Sequence, residues 1–153
     1  GGKTASLFAT ACEGGAIVSG APEEWALALR EYGYNFGMAF QVIDDILDFT
    51  GDEAEMGKPV GSDLMQGTLT LPSLLLMERR PNANPVEQYF ARPTRERLAA
   101  AVSTVRNSGA LEESRLMAED FSRRAVEAIS VLPDTADRRT LVELAAFILT
   151  RRS

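Results

Sequence analysis

Apolar residues recur along this chain with the period of a helix, and nowhere do they alternate with polar ones long enough to predict a strand. The pattern predicts a first helix from about Lys3 to Ser19, stopped at Gly20. A long second helix runs from Pro22 to about Thr50 and ends at Gly51. Residues 51–67, with Gly51, Gly57, Pro59, Gly61 and Gly67, read as a loop. Thr70 and Pro72 open a third helix ending near Arg80, and a turn over 81–85 leads to a short helix from Val86 to Ala91. Thr94 caps a helix to about Ser108, and the last two helices cover Leu111 to Leu132 and Ala136 to Arg151. Their apolar stripes (Leu98, Val102 and Val105; Phe121, Ala125, Ile129 and Leu132; Leu141, Leu144, Ala145 and Ile148) are expected to be scaffold. The fold class is therefore all-α, a helical bundle.

The second helix breaks the ordinary amphipathic pattern. From Phe36 to Phe49 it is apolar except at Gln41, Asp44, Asp45 and Asp48, which stand at i, i+3, i+4 and i+7. At about 100° per residue these four fall within an arc of about 100°. A narrow polar stripe with three carboxylates thus runs down a helix otherwise surrounded by protein. Three carboxylates on one arc repel each other and are costly to desolvate. Either they are protonated or a cation sits among them. A hard divalent ion with oxygen ligands, Mg2+ first, fits an all-carboxylate set. The blander alternative is a solvated acidic face, or ion pairing between helices.

Charge along the chain sharpens this. Residues 1–78 hold 3 basic and 12 acidic residues, against 13 and 10 in 79–153. No Lys or Arg lies between Glu31 and Gly57, so a cation from outside that stretch is expected to meet the carboxylates. The next basic residue, Lys58, sits among Gly57, Pro59 and Gly61, where backbone amides can face an anion. Carboxylate-bound Mg2+ beside a lysine in a Gly-rich loop suits a diphosphate. Lys3 and Thr4, at the start of the first helix, form a second anion-binding candidate.

Composition narrows the classes. At 45% hydrophobic and 25% charged, the chain reads as an ordinary globular domain. The net charge of −6 argues against nucleic acid or an anionic membrane as main partner. No apolar run approaches the roughly 18 residues of a membrane span. With no histidine, Ser-His-Asp and Cys-His catalysis and His-ligated metals are excluded. The single cysteine, Cys12, excludes an internal disulfide and suits a cytoplasmic setting. The chain opens Gly1-Gly2-Lys3 without Met, so a processed chain or a piece of a longer protein is expected.

Four blocks carry a family resemblance: Lys3-Thr4-Ala5; the run from Gly37 to Asp48, which contains Phe40-Gln41 and the three aspartates; Gly57-Lys58-Pro59-Val60-Gly61-Ser62-Asp63-Leu64; and Gly67-Thr68-Leu69-Thr70-Leu71-Pro72. In order and spacing they resemble the trans-isoprenyl diphosphate synthases, the polyprenyl synthetases, and the second block resembles that family's second aspartate-rich motif. Many relatives have Lys where this chain has Thr68; Gln66-Gly67-Thr68 is more similar to the bacterial medium- and long-chain synthases of the quinone side-chain type.

The resemblance implies an isoprenoid-synthase-type fold and a condensation of an allylic diphosphate with isopentenyl diphosphate, with Mg2+ on the leaving diphosphate. It implies that Asp44 ligates Mg2+ most directly, Asp48 through the metal's waters and Asp45 in support. It implies that Lys3 and Lys58 hold the allylic diphosphate, that Thr4 and Gln41 line the path of the developing cation, and that Phe40 contributes to the isopentenyl site. The family's first aspartate-rich motif has no counterpart in these 153 residues. Residues 1–153 are therefore expected to be the C-terminal portion of one prenyl-synthase domain, inactive alone, and to form a homodimer or to pair with the N-terminal half. The alternatives are a non-catalytic helical subunit or binding module keeping an Mg2+–diphosphate half-site, and a purely structural stripe.

Overall fold

The expected helices form, and several begin where a capping side chain stands. The computed structural model describes residues 2–51, 57, 59–82 and 84–151. Among them the helices are α1 (Gly2–Val18), α2 (Glu23–Thr50), α3 (Ser62–Met65), α4 (Leu71–Arg79), α5 (Pro85–Ala91), α6 (Arg95–Asn107), α7 (Ala110–Ala128) and α8 (Ala136–Phe147). There is no strand among the described residues. Thr94 and Thr135 cap α6 and α8 by accepting the N–H groups of Arg97 and Arg138, each at 3.2 Å. Asn84 accepts the Val86 N–H at 2.8 Å, and Pro85 fills the first position of α5, where no N–H is needed. Gly109, at φ +79°, supplies the left-handed residue between α6 and α7.

Three boundaries differ from the pattern. The single turn α3 lies inside the predicted loop; four residues are too few to show a period. The helix expected to reach Leu132 ends at Ala128 and tightens into a 3-10 turn over Ile129–Val131. Leu132 precedes Pro133 and is extended, at ψ 149°, as the proline ring requires. The last helix likewise ends at Phe147, and a 3-10 turn follows over Ile148–Thr150.

The chain divides into two compact units, one of residues 2–43 and 116–151, the other of residues 44–115. In the first, Tyr32, Ala125, Ile129 and Ala145 form the buried centre, with Cys12, Leu29, Phe36, Leu132 and Leu141 packed on it. The Tyr32 hydroxyl donates to the Leu141 carbonyl at 2.8 Å, and the Ser122 hydroxyl donates to that of Ala145 at 2.7 Å. In the second, Phe49, Leu64, Leu76, Val86, Tyr89, Val102 and Val105 are buried together. Burying one such side chain is worth about 1.5–3 kcal/mol. No helix of the described residues is long and apolar enough to cross a membrane.

Candidate functional site

Lys3, Thr4, Phe40 and Gln41 fall in the first unit, and Asp44, Asp45 and Asp48 in the second. Lys58 lies outside the described residues.

In the first unit, α1 and α2 touch almost backbone to backbone. A Cβ on Gly33 would stand 2.5 Å from the Phe8 carbonyl oxygen, and one on Gly37 would stand 2.7 Å from the Ala5 Cα. Ala5 thus faces Gly37 while Phe8 and Ala9 face Gly33, so α1 runs antiparallel to α2. Its start, with Lys3 exposed and Thr4 half-buried, is directed toward the end of the pair that bears Phe40 and Gln41. Aromatic rings tie this end together. Phe8 lies 5.1 Å from Phe36 and 5.9 Å from Phe40, centroid to centroid. At the other end Arg30 pairs with Glu13 at 3.6 Å.

Two features here were not predicted from the sequence. The pair Gly33 and Gly37 sets the α1–α2 spacing, and its signal was two glycines four apart inside a helix. Arg151 lies over the Phe40 ring, 4.6 Å from its centroid. Nothing in the periodicity marks Arg151, because its role comes from a contact made 111 positions away.

In the second unit the three carboxylates share a stripe but differ in exposure. Asp44 is half-buried, Asp45 is 7% exposed and Asp48 is 0% exposed. Asp45 Oδ2 accepts the Leu71 N–H at 3.2 Å, and Asp48 Oδ2 accepts the Asp63 N–H at 3.2 Å. The Arg106 Nε donates to the Phe49 carbonyl at 2.5 Å, placing a cation near the C-terminal end of α2, where the helix dipole favours one. A cavity of about 920 Å3 in this unit, lined by Val60, Met65, Tyr89, Leu98, Val102 and Arg106 among others, touches none of the described candidate site residues.

The donor set sets a limit on any metal. Among the described residues no group of three or more His, Cys, Asp or Glu is placed to hold an ion by itself. The stripe offers oxygen donors only, with Asp44 the most accessible. That fits Mg2+, which binds through one or two carboxylates and takes its other ligands from water and phosphate. It does not fit an ion caged by protein alone. A titratable pair of the first unit, half-buried Cys12 and buried Tyr32, stands apart from this chemistry: burial pushes the Cys12 thiol up, and burial followed by the nearby Cys12 pushes the Tyr32 phenol up.

Comparison with known proteins covers nearly the whole chain. The family model described as polyprenyl synthetase matches residues 1–105. Component 2 of heptaprenyl diphosphate synthase from Bacillus subtilis is 39% identical over 150 residues, covering 98% of this chain and 43% of that protein. An all-trans-nonaprenyl-diphosphate synthase from Rhodobacter capsulatus is 39% identical over 152 residues, covering 98% of this chain and 46% of its own. The crystal structure of heptaprenyl diphosphate synthase from Staphylococcus aureus superposes with a TM-score of 0.93 at 36% identity, over 99% of this chain and 48% of that one. A polyprenyl synthase from Caulobacter crescentus CB15, complexed with calcium and isoprenyl diphosphate, gives 0.91 at 37% identity, covering 99% and 47%. The chain spans less than half the length of these relatives.

Proposed function

Because this chain belongs to the polyprenyl synthetase family, we propose that the intact protein extends an allylic diphosphate by isopentenyl units, and that these residues supply one diphosphate-binding part of its active site. The observation that carries the reading is the stripe Gln41, Asp44, Asp45 and Asp48 on one long helix, with Asp44 its most accessible carboxylate. The relatives named above make heptaprenyl and nonaprenyl diphosphates, which favours a medium- or long-chain product here.

The chemistry separates charge and then rejoins carbon. The allylic C–O bond breaks and the diphosphate departs. The double bond of isopentenyl diphosphate attacks the allylic cation, and a proton is lost. Asp44 would hold Mg2+, which when bound would supply neutralising charge for the departing diphosphate. Lys3 and Lys58 bind and orient that diphosphate. The Thr4 hydroxyl and the Gln41 carbonyl turn oxygen dipoles toward the cation. Phe40 forms a wall of the isopentenyl site, with its ring under the Arg151 guanidinium. The rest of the metal and isopentenyl sites lies outside these 153 residues, in the part of the protein with the first aspartate-rich motif or in a partner subunit. The assembly is a cytoplasmic homodimer on this reading. The Bacillus subtilis relative's name, component 2, supports a two-component form as the second arrangement.

Titration of the intact protein with Mg2+ and inorganic pyrophosphate tests the reading. Wild type is expected to bind, and Asp44→Asn to lose at least about 100-fold in affinity, or roughly 2.8 kcal/mol. Equal affinities for the two proteins would remove the metal–diphosphate role and leave the stripe structural.

A further inference from the structure

The three carboxylates of α2 share a stripe but differ in burial, and the two buried ones, Asp45 and Asp48, each accept a backbone N–H. Both N–H donors to the buried pair stand at helix starts, where the backbone leaves amides without internal partners. Asp63 lies in the first turn of α3, and Leu71 is the first residue of α4. Asp48 holds the returning chain twice, since its backbone carbonyl also accepts the Gly61 N–H at 2.8 Å. Between these points the chain is tied to itself. The Thr68 N–H donates to the Asp63 carbonyl at 2.8 Å, and the Thr70 N–H donates to the Ser73 hydroxyl at 2.9 Å. Residues 61–71 are thus fastened to one side of α2 by Asp48 at one end and Asp45 at the other. Packing more protein on this surface can only remove exposure, so the 0% of Asp48 and the 7% of Asp45 are upper limits for any larger assembly that keeps this fold.

We propose that Asp45 and Asp48 are positioning residues, not metal ligands, whose carboxylates clasp the segment 61–71 through the Leu71 and Asp63 amides. This rests on the diphosphate-site reading above and divides its labour. A residue that acts through a backbone N–H needs an acceptor oxygen in the right place. A metal ligand needs its charge as well. Asparagine keeps the first and loses the second; alanine loses both.

The experiment is run on the intact protein as two measurements on each variant. Hydrogen exchange followed by mass spectrometry reads the segment 61–71, and titration with Mg2+ and pyrophosphate reads the ligand site. In Asp48→Ala and Asp45→Ala the segment is expected to exchange at least about tenfold faster, whereas the Asn variants stay near wild type. Affinity for Mg2+–pyrophosphate falls less than about tenfold in Asp48→Asn and further in Asp48→Ala, while Asp44→Asn and Asp44→Ala lose it alike. Equal loss of affinity in Asp48→Asn and Asp48→Ala, with exchange of the segment unchanged, would make Asp48 a ligand and overturn the proposal. Unchanged exchange in both alanine variants overturns it whatever the affinities. Faster exchange in those variants together with wild-type affinity in Asp44→Asn supports the clasp and defeats the diphosphate reading instead.

Discussion

The two units of this chain differ in which apolar residues they bury. The unit of residues 44–115 turns its large side chains inward: Phe49, Leu64, Leu76, Val86 and Val105 are at most 1% exposed. The unit of residues 2–43 and 116–151 fills much of its interior with alanine, including Ala5, Ala9, Ala39, Ala125 and Ala145. Tyr32, Val42, Ile43, Ile129 and Ile148 are buried with them, but other large side chains stand outside, with Leu7 70%, Val18 90%, Ile17 63%, Leu27 53% and Phe147 64% exposed. Both units have a core, and that of residues 44–115 is built mostly from large side chains. The other unit has helices spaced for close contact and outer faces suited to being covered by more protein.

Truncation separates the two kinds of unit most strongly. Phe49→Ala is expected to lose about 3–5 kcal/mol of stability in urea unfolding of the 153-residue chain. Leu7→Ser in the same chain is expected to change it by less than about 0.5 kcal/mol. A loss at Leu7 as large as that at Phe49 would break the comparison, because it would mean the outer face is already packed. A smaller contrast lies inside the first unit. Gly33→Ala drives a Cβ into the Phe8 backbone and is expected to lose about 1–3 kcal/mol. Gly14→Ala, with nothing within 4 Å of the new atom, is expected to gain up to about 1 kcal/mol from helix propensity. Thermal unfolding of the two variants side by side checks both signs.

The smallest effect is with pH. Burial holds both the Cys12 thiol and the Tyr32 phenol above their ordinary values, so the folded first unit favours their protonated forms. Stability from this source is complete below the pH at which a free thiol ionises and is lost as pH rises through the folded values. Trp25, the single tryptophan, reports on this unit alone. Its unfolding midpoint is expected to fall as pH is raised from about 8 to about 10. Cys12→Ser and Tyr32→Phe together should flatten that slope; an unchanged slope would show that other groups set it.

Much of this was legible in the sequence. Helix content and the acidic stripe both follow from a 3.6-residue period, which a string of letters displays directly. Capping residues such as Thr94 fixed helix starts because their effect is local. Period alone fails where a contact returns from far along the chain. It puts Asp44, Asp45 and Asp48 on one arc, yet cannot say that the Leu71 amide comes back to Asp45 and the Asp63 amide to Asp48. It shows Gly33 and Gly37 in a helix without showing that α1 lies against them. The lone turn α3 is shorter than any period, and Lys58 lies outside the described residues.

The seam between α1 and α2 has one further consequence. Every substitution at Gly33 or Gly37 adds atoms, and none can take any away. The gap between these helices is already at its minimum, so single changes can widen it and never narrow it. Lys3 and Thr4 ride on the far end of α1 like the tip of a lever, and a small wedge at Gly33 would carry both outward from Phe40 and Gln41. The reach of those two residues is a one-way adjustment, controlled from a position that itself has no side chain.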